Sequence, residues 1–182
     1  MIQAVGVIEF NSIAAGIEAA DAMVKAAAVS PLLMKTICPG KFLAGVHADV
    51  ASVQASLEAG LAVAPDAAVD HVFIPNLSPA VVAAMSGAVE PAMDGALGII
   101  ETFSAASCAA AADAAVKAAS VSLAEVRLAM GLGGKAVCLF TGGVAAVRSA
   151  ADAGCRAAAG AGLLVRTAVI PAISRELLPY IM

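Results

Sequence analysis

Four cysteines are the residues of this chain best suited to redox or metal chemistry: Cys38, Cys108, Cys138 and Cys155. Since none of them forms a CxxC pair, their spacing does not suggest a disulfide framework and fits a reducing compartment. Cys38 stands in a turn-like segment, KTICPGKF, whereas the other three lie in helix or strand patterns, where cysteine usually behaves as a small buried hydrophobe. Cys38 is therefore the candidate functional thiol. The simpler alternative is a free thiol that lines a turn or narrow pore without metal.

Other residues with chemical potential lack the partners that catalysis or ligand binding requires. Glu9 and Glu101 could form a carboxylate pair, but no nucleophile or metal-binding set accompanies them. His47 and His71 have no ligand residues at metal-binding spacing. The segment GLGGK, residues 131–135, lacks the spacing of a phosphate-binding loop. We therefore expect a protein that is not an enzyme.

The composition restricts the class of protein. The chain has 182 residues, of which 62% are hydrophobic and only 3% aromatic, so its elements must pack closely through small side chains. A net charge of −4 argues against a nucleic-acid partner, which needs a basic surface. The longest uncharged run, residues 72–89, contains prolines, a glycine and an asparagine, so we expect no membrane-spanning helix. The start resembles a strand, not a signal peptide, and a cytoplasmic protein is expected.

The chain consists of two copies of one sequence unit. With an offset of 92, Ala4–Ser30 lies over Ala96–Ser122, and 16 of the 27 positions are identical. The match continues from Pro39–Val53 to Gly133–Val147. The predicted domains are residues 1–92 and 93–182, which meet near Pro91–Asp94.

Each copy predicts the same order of elements. A buried strand, a helix, a hairpin, a second helix and a fourth strand give a βαββαβ module, in which helices cover an antiparallel sheet. The predicted fold class is therefore α/β in the broad sense, strictly α+β. The signals are strands at Val5–Glu9 and Leu97–Glu101, helix caps at Ser12 and Ser104, hairpin turns at Pro39–Gly40 and Gly131–Gly134, second helices near Asp49 and Gly143, and fourth strands at Val69–Pro75 and Leu163–Pro171.

Duplication has two explanations. Two similar domains could simply stand side by side in one chain. Alternatively, the fused pair lets a ring with threefold symmetry imitate one with sixfold symmetry, while each copy is free to diverge. The hairpin turns have diverged, because Met130, Gly131 and Leu132 stand in the second copy where Cys38 falls in the first.

The repeated motifs resemble a known family. The patterns GVIEFNS…DAMVKAAAV and GIIETFS…DAAVKAASV, the GK turn, and the pieces HADVASV and TGGVAAV resemble the bacterial microcompartment shell domain. The resemblance covers nearly the whole chain, twice. It implies a trimer that looks like a hexamer and that tiles with other shell proteins into a polyhedral shell around metabolic enzymes.

The segment KTICPGKF resembles a subgroup of tandem members from propanediol-utilising compartments, which carry an iron–sulfur cluster at the trimer axis. The resemblance implies one [4Fe–4S] cluster per trimer, with Cys38 from each protomer as ligand. Iron–sulfur clusters are held by thiolates, and an isolated cysteine builds such a site only through symmetry. Lys35 and Lys41 could offset the negative charge. The implied pore-lining residues are Ile37, Pro39, Gly40, Gly131, Leu132 and Gly133.

The family also implies where neighbouring tiles meet. Lys25 and Lys117 hold matching positions near the end of the first helix, where a lysine is favoured by the helix dipole. In the family this lysine lies at the tile edge, so both are expected edge contacts. Family members often carry an IPRPH-like segment beside it. The segments here are IPNLSP and IPAIS, without the arginine and histidine, which puts the pairing partners of the edge in doubt.

Three functions remain open from the sequence. The leading one is a shell tile whose axial cluster transfers electrons across the shell, with a redox enzyme or electron carrier as a further partner. The second is a cluster-free tile whose central pore passes small metabolites. The third, from another class, is a soluble trimeric regulator that binds a small molecule.

Overall fold

The two repeats have the same succession of elements in the computed structural model, which describes residues 2–89, 95–159 and 163–181. The first repeat contains β1 (Ala4–Phe10), α1 (Ile13–Ala26), β2 (Ser30–Ile37), β3 (Lys41–Ala48), α2 (Val50–Val63), a 3-10 turn (Pro65–Ala67), β4 (Ala68–Pro75) and α3 (Pro79–Met85). The second contains β5 (Ala96–Thr102), α4 (Ala105–Ala118), β6 (Ser122–Leu128), β7 (Ala136–Gly142), α5 (Val144–Ala159), β8 (Leu164–Ile170) and α6 (Leu178–Ile181). The predicted βαββαβ order is confirmed.

Each repeat folds its four strands into one antiparallel sheet. The strand orders are β2-β3-β1-β4 and β6-β7-β5-β8, so the first strand of each repeat is central. In the first sheet Glu9 lies opposite Leu43 on one side and Asp70 on the other. In the second sheet Glu101 lies opposite Arg166 at the position that matches Asp70. The strand registers of the two sheets thus match, and the basic Arg166 stands in the second sheet where the acidic Asp70 stands in the first.

Small residues let the helices approach the sheets closely. A Cβ atom added to Gly6 of β1 would lie 2.7 Å from Leu57 and 2.8 Å from Val53, both on α2. A Cβ added to Gly60 of α2 would lie 2.6 Å from Met23 on α1. Interiors this dense leave no room for a methyl group without movement of a neighbour. The small-residue packing that the composition predicts is therefore present.

Two side chains cap the N-termini of helices in the first repeat. The Ser12 hydroxyl accepts the N–H of Ala15, 3.4 Å away, at the start of α1. Asp49 accepts the N–H and the hydroxyl of Ser52, at 3.0 and 2.7 Å, at the start of α2. The bond from the Ser52 hydroxyl, followed by that from its N–H, lowers the pKa of Asp49 below 3.8. The cap predicted at Ser12 and the helix start predicted near Asp49 are confirmed, and the Asp49 cap is an additional finding.

The compact units of the structure differ from the sequence repeats. Among the described residues, unit 1 comprises those up to Leu77 together with Ser104–Ala106 and Ala129–Gly134, and unit 2 comprises the rest. Helix α3 of the first repeat accordingly belongs to unit 2, where it contacts β6. The predicted boundary between residues 92 and 93 lies outside the described residues.

None of the helices in the described part of the chain combines the length and the apolar character needed to span a bilayer.

Candidate functional site at the paired turns

Unit 1 brings together the hairpin turns of both repeats. The backbone N–H of Cys38 donates to the carbonyl oxygen of Ala129 at 3.3 Å. A Cβ atom added to Gly134 would lie 2.8 Å from Cδ of Pro39. The turn after β2 and the turn after β6 therefore lie side by side, and between them they carry the residues predicted to line a pore, except Ile37, which ends β2.

Most of these residues are on the surface. Pro39, Gly40, Gly131 and Gly133 are exposed, and Leu132 is half-buried. Gly40 and Gly131 have φ angles of +74° and +71°, a region that side chains rarely adopt, and the space beside both is open.

Ile37 is an exception among the predicted pore residues. Its side chain is only 3% exposed, so it packs inside the chain instead of facing an opening. The physical reason is its position at the end of β2, where it pairs with Lys41 as the last pair of the hairpin ladder. Because successive side chains of a strand point to opposite faces of the sheet, Ile37 places its apolar side chain on the buried face.

Cys38 is the candidate metal ligand on these turns. It is a free, half-buried cysteine that directly follows β2. Within the described residues there is no group of three or more His, Cys, Asp and Glu side chains that could hold a metal ion. The donor set of one chain is thus a single thiol. An iron–sulfur cluster fits it only if further chains supply the other thiolates.

A buried ion pair anchors the first turn. Nζ of Lys41 lies 2.7 Å from Oε1 of Glu9, with the side chains 16% and 0% exposed. A charge this deeply placed needs a partner, since its desolvation is costly. The positive charge of Lys41 is therefore balanced within the chain by Glu9, and its expected role of offsetting charge at Cys38 is reduced. Lys35 is half-buried on β2.

The second repeat has the same pair at the matching positions. Lys135 donates to Oε1 of Glu101, and the two side chains are 42% and 30% exposed. Sequence reasoning missed both pairs, because the partners are more than 30 residues apart. The available signal was the recurrence of Glu9 and Lys41 as Glu101 and Lys135 in the two copies.

Glu9 also contacts the second repeat within unit 1. Its Oε2 accepts the backbone N–H of Ala105, the first residue of α4, at 2.6 Å. The Ser104 hydroxyl donates to Asp70, the β4 residue opposite Glu9. We call this set of four residues, Glu9, Asp70, Ser104 and Ala105, the internal joint. Ser104, predicted as a helix cap, thus contributes to contact between the repeats.

Two of the remaining cysteines are buried as the sequence predicts. Cys108 on α4 and Cys138 on β7 are fully buried, whereas Cys155 on α5 is half-buried. Burial raises the pKa of Cys108 to about 12. Burial, and then the nearby Cys108, raises the pKa of Cys138 well above 9.0. Buried thiols of this kind are poor nucleophiles.

The predicted edge lysines both lie in the last turn of a helix. Lys25 of α1 is 73% exposed and pairs with Asp21 one turn earlier. Lys117 of α4 is 43% exposed and pairs with Asp113. Asp113 also accepts the N–H of Ser78 at 2.8 Å. Their exposure leaves both lysines accessible for contacts.

Unit 2 contains a shallow groove of about 280 Å³ on its sheet. An ion pair at 2.6 Å between Arg127 and Glu125 borders it. The other lining residues are Leu97, Ile99, Val137, Leu139, Tyr180 and Ile181. The groove has an apolar floor and one charged edge.

Comparison with known proteins gives matches over nearly the whole chain. The BMC domain matches residues 4–77 and again 96–173, which are the two repeats. The bacterial microcompartment shell protein PduT of Citrobacter freundii is 45% identical over 171 residues, covering 94% of this chain and 93% of that protein.

Two solved structures also match this chain over most of its length. The crystal structure of a microcompartment protein from Desulfitobacterium hafniense DCB has a TM-score of 0.83 at 46% identity, covering 98% of this chain and 99% of that one. A fused permuted hexameric shell protein of the RMM microcompartment, 24% identical with a TM-score of 0.68, covers 87% of this chain and 82% of its own and shares the fold. The family and fold are structural rather than catalytic, and the resemblance in the sequence is confirmed. The chain belongs to the BMC-domain family and is a structural shell protein of a bacterial microcompartment.

Proposed function

We propose that this shell protein forms a homotrimeric, pseudohexameric tile with a [4Fe–4S] cluster on its axis, bound by Cys38 from each of three chains. The observation that carries the proposal is the asymmetry of the paired turns. The first turn presents the half-buried Cys38, and the second has Met130, 53% exposed, at the matching position. Three chains would thus contribute three thiols and not six.

The residues of this chain are suited to hold such a group. The hydrogen bond from Cys38 N–H to Ala129 ties the thiol-bearing residue to the other turn. The pair between Lys41 and Glu9 fixes the opposite end of the hairpin turn. Ligands held by supporting contacts lose little freedom on binding, which favours a preorganised site. When bound, an iron–sulfur cluster supplies one-electron transfer.

The proposed role is electron transfer across the shell, with a redox enzyme or an electron carrier as partner. Its support is the position of Cys38 on surface turns that both repeats help to shape. Other shell proteins are the proposed lateral partners, through edges that include Lys25 and Lys117. The similarity to shell proteins over nearly the full chain favours this tile over a soluble regulator.

The test compares two half-buried cysteines after anaerobic purification. We expect the unaltered protein to absorb visible light, to give an EPR signal on reduction, and to contain about four iron atoms per three chains. Cys38→Ser should lose the iron and the signal while its assembly state is unchanged. Cys155→Ser, the matched control on α5, should keep both.

Two results would overturn the proposal that Cys38 binds a cluster. One is a colourless protein that stays free of iron after anaerobic reconstitution, which would favour a cluster-free tile that passes metabolites. The other is full iron retention by Cys38→Ser. Sedimentation of the same samples tests the trimer separately, because it does not depend on iron.

A further inference from the structure

The turn of the second repeat places a large apolar side chain, that of Met130, on the surface. Residues 38–40 and 129–135 form the two turns, and the structure describes all of them. Among these residues Met130 is the one large apolar side chain that is exposed, at 53%. The residues that follow it include the glycines at 131, 133 and 134. Met130 therefore projects from a turn made mostly of small residues.

The strand registers give Met130 and Cys38 the same position in the two modules. Thr36 of β2 and Leu128 of β6 pair with matching residues of β3 and β7. Cys38 and Met130 each follow two residues later. One repeat thus presents a thiol where the other presents a thioether.

The backbone also brings the two residues together within one chain. The N–H of Cys38 donates to the carbonyl oxygen of Ala129 at 3.3 Å. Met130 follows Ala129 directly, so its Cα atom lies within about 6 Å of the Cys38 nitrogen. A methionine side chain is long, unbranched and flexible, and it adapts to irregular surfaces. The side chain of Met130 can therefore reach over the thiol from the neighbouring turn.

Ala129 holds this arrangement in a strained conformation. Its φ angle is +58°, in the left-handed region that residues with a side chain rarely adopt, and it is fully buried. Gly131, Gly133 and Gly134 also have positive φ angles, which glycine adopts without strain. A strained residue persists where its surroundings fix it. One of the contacts that fix Ala129 is the hydrogen bond from Cys38, so the path of the second turn is coupled to the thiol-bearing residue.

An apolar group beside a metal–sulfur site changes the properties of that site. It limits the access of water and lowers the local dielectric constant. Reduction makes a cluster bound by thiolates more negative, and a low dielectric constant disfavours the added charge. An apolar cover therefore shifts the reduction potential to more negative values.

We propose that Met130 is a cover for Cys38, which lies over the thiol and limits the access of water and small reagents to it. The part of this inference that concerns the cluster rests on the function proposed above. The part that concerns the free thiol rests only on the turns of a single chain. In the proposed trimer, three such covers surround the axis.

The reactivity of the free thiol tests the cover without iron. In iron-free protein carrying Cys155→Ser, digestion and mass spectrometry follow the modification of Cys38 by N-ethylmaleimide. Met130→Ala should raise the rate several-fold, because it removes the part of the side chain that reaches over the thiol. Met130→Leu, which keeps an apolar side chain, should preserve the original rate. Val63→Ala, at a 39% exposed position of α2, is the matched control and should change nothing.

The same experiment reports whether the variants are folded. Cys108 and Cys138 are fully buried, so they should stay unmodified in every variant whose fold is intact. A rise in the Cys38 rate alone then reflects local access and not unfolding.

The cluster-loaded protein gives a second measurement. Met130→Gln replaces the thioether with a polar side chain of similar length, so the midpoint potential should shift to a less negative value. Its visible absorption should also disappear several-fold faster in air. Met130→Leu should match the unaltered protein in both respects. All variants should keep about four iron atoms per three chains, because no ligand is removed.

The outcomes separate the cover from the cluster. Equal rates of Cys38 modification in the unaltered protein and in Met130→Ala overturn the cover, whether or not iron binds. A faster rate in Met130→Ala, in a protein that stays free of iron after reconstitution, overturns the cluster and supports the cover. A loaded Met130→Gln protein with unchanged potential and unchanged stability in air overturns the effect of the cover on the cluster.

Discussion

Glu9 and Glu101 are the last residues but one of the central strands of the two repeats, and each pairs with the lysine of the following hairpin. Their surroundings differ. Glu9 is fully buried and also accepts the N–H of Ala105, whereas Glu101 is 30% exposed. The same Glu–Lys pair is thus buried in the first repeat and partly exposed in the second. Its desolvation cost differs between the repeats, because that cost depends on the residues that cover the pair.

The difference shows how the duplicated chain divides its tasks. The site around Glu9 and Asp70 is filled within unit 1 by the start of α4. The matching site around Glu101 has Arg166 in place of Asp70 and remains accessible. Two copies of one module can therefore keep the same fold while one closes a contact inside the chain and the other leaves it available. Substitutions at matching positions test this contrast directly.

The largest contrast is expected for the two glutamates. Glu9→Ala leaves the ammonium of Lys41 buried without a counter-charge and should lower the free energy of unfolding by about 3–5 kcal/mol. Glu101→Ala breaks a partly exposed pair and should cost about 1 kcal/mol or less. Urea denaturation of both variants at the same low protein concentration measures the two losses. Equal losses at the two sites would contradict the contrast.

The next largest contrast in stability is expected for alanine substitutions at the matching glycines of the second helices, Gly60 and Gly154. A Cβ at Gly154 would lie 2.8 Å from the backbone oxygen of Ala111, which cannot move easily, and 2.4 Å from Ile100. At Gly60 it would meet the flexible Met23 side chain at 2.6 Å and the end of Ile8 at 2.9 Å.

Gly154→Ala should therefore destabilise the fold by about 1–3 kcal/mol. Gly60→Ala should cost less than Gly154→Ala, because the atoms that its new methyl group meets belong to side chains and not to the backbone. Thermal unfolding of both variants measures the difference. A Gly60→Ala loss as large as that of Gly154→Ala would show that Met23 cannot adjust.

Local features were predictable from the sequence. The repeat gave the order of elements, since identical patterns must fold alike, and the caps Ser12 and Asp49 act on residues only three positions away. Cys38 was predictable as a turn residue because proline and glycine follow it directly. Each of these signals is contained within a few neighbouring residues.

Long-range features were not predictable in the same way. The Lys41–Glu9 pair joins residues 32 positions apart, and the Ser104–Asp70 bond joins different repeats. The inclusion of residues 104–106 and 129–134 in unit 1 depends on packing between copies, on which periodicity carries no information. The resemblance implies that Ile37 lines a pore, but the pleat of β2 turns its side chain inward.

The buried thiols of the second repeat should make the stability of the fold decrease at high pH. Cys108 and Cys138 stand where the first repeat has Gly16 and Ala44. The folded pKa of Cys108 is raised to about 12 from 9.0, so the neutral thiol stabilises the fold fully below pH 9. That stability is lost as the pH rises from 9 towards 12, because only the unfolded chain releases the proton.

We expect a loss of about 1 kcal/mol per pH unit above 9 from Cys108, with a further loss from Cys138. Urea denaturation between pH 8 and 11 measures it, and the variant with Cys108→Ala and Cys138→Ala should lack this dependence. Cys155→Ala, at a half-buried position, should retain it. A double variant as sensitive to alkali as the unaltered chain would assign the loss to other groups.

The smallest contrast concerns the starts of the second helices. Asp49 begins α2, whereas Gly143 stands at the matching position before α5 and accepts the N–H of Val147 through its backbone oxygen at 2.9 Å. The space beside Gly143 is open, so a side chain fits there. Gly143→Asp should add a cap and raise the free energy of unfolding by a few tenths of a kcal/mol, about 1 °C in Tm.

The gain should depend on pH in the same direction as the cap at Asp49. A carboxylate whose folded pKa lies below 3.8 stabilises the fold above that pH and loses the effect as the pH falls through the lower value. Gly143→Asn provides the uncharged control, because its amide oxygen caps the helix without titrating. Since Ala146 stands where Ser52 supplies a hydroxyl to Asp49, the new cap has only a backbone donor. A Gly143→Asp gain that persists at pH 2 would show that the added stability does not come from the carboxylate.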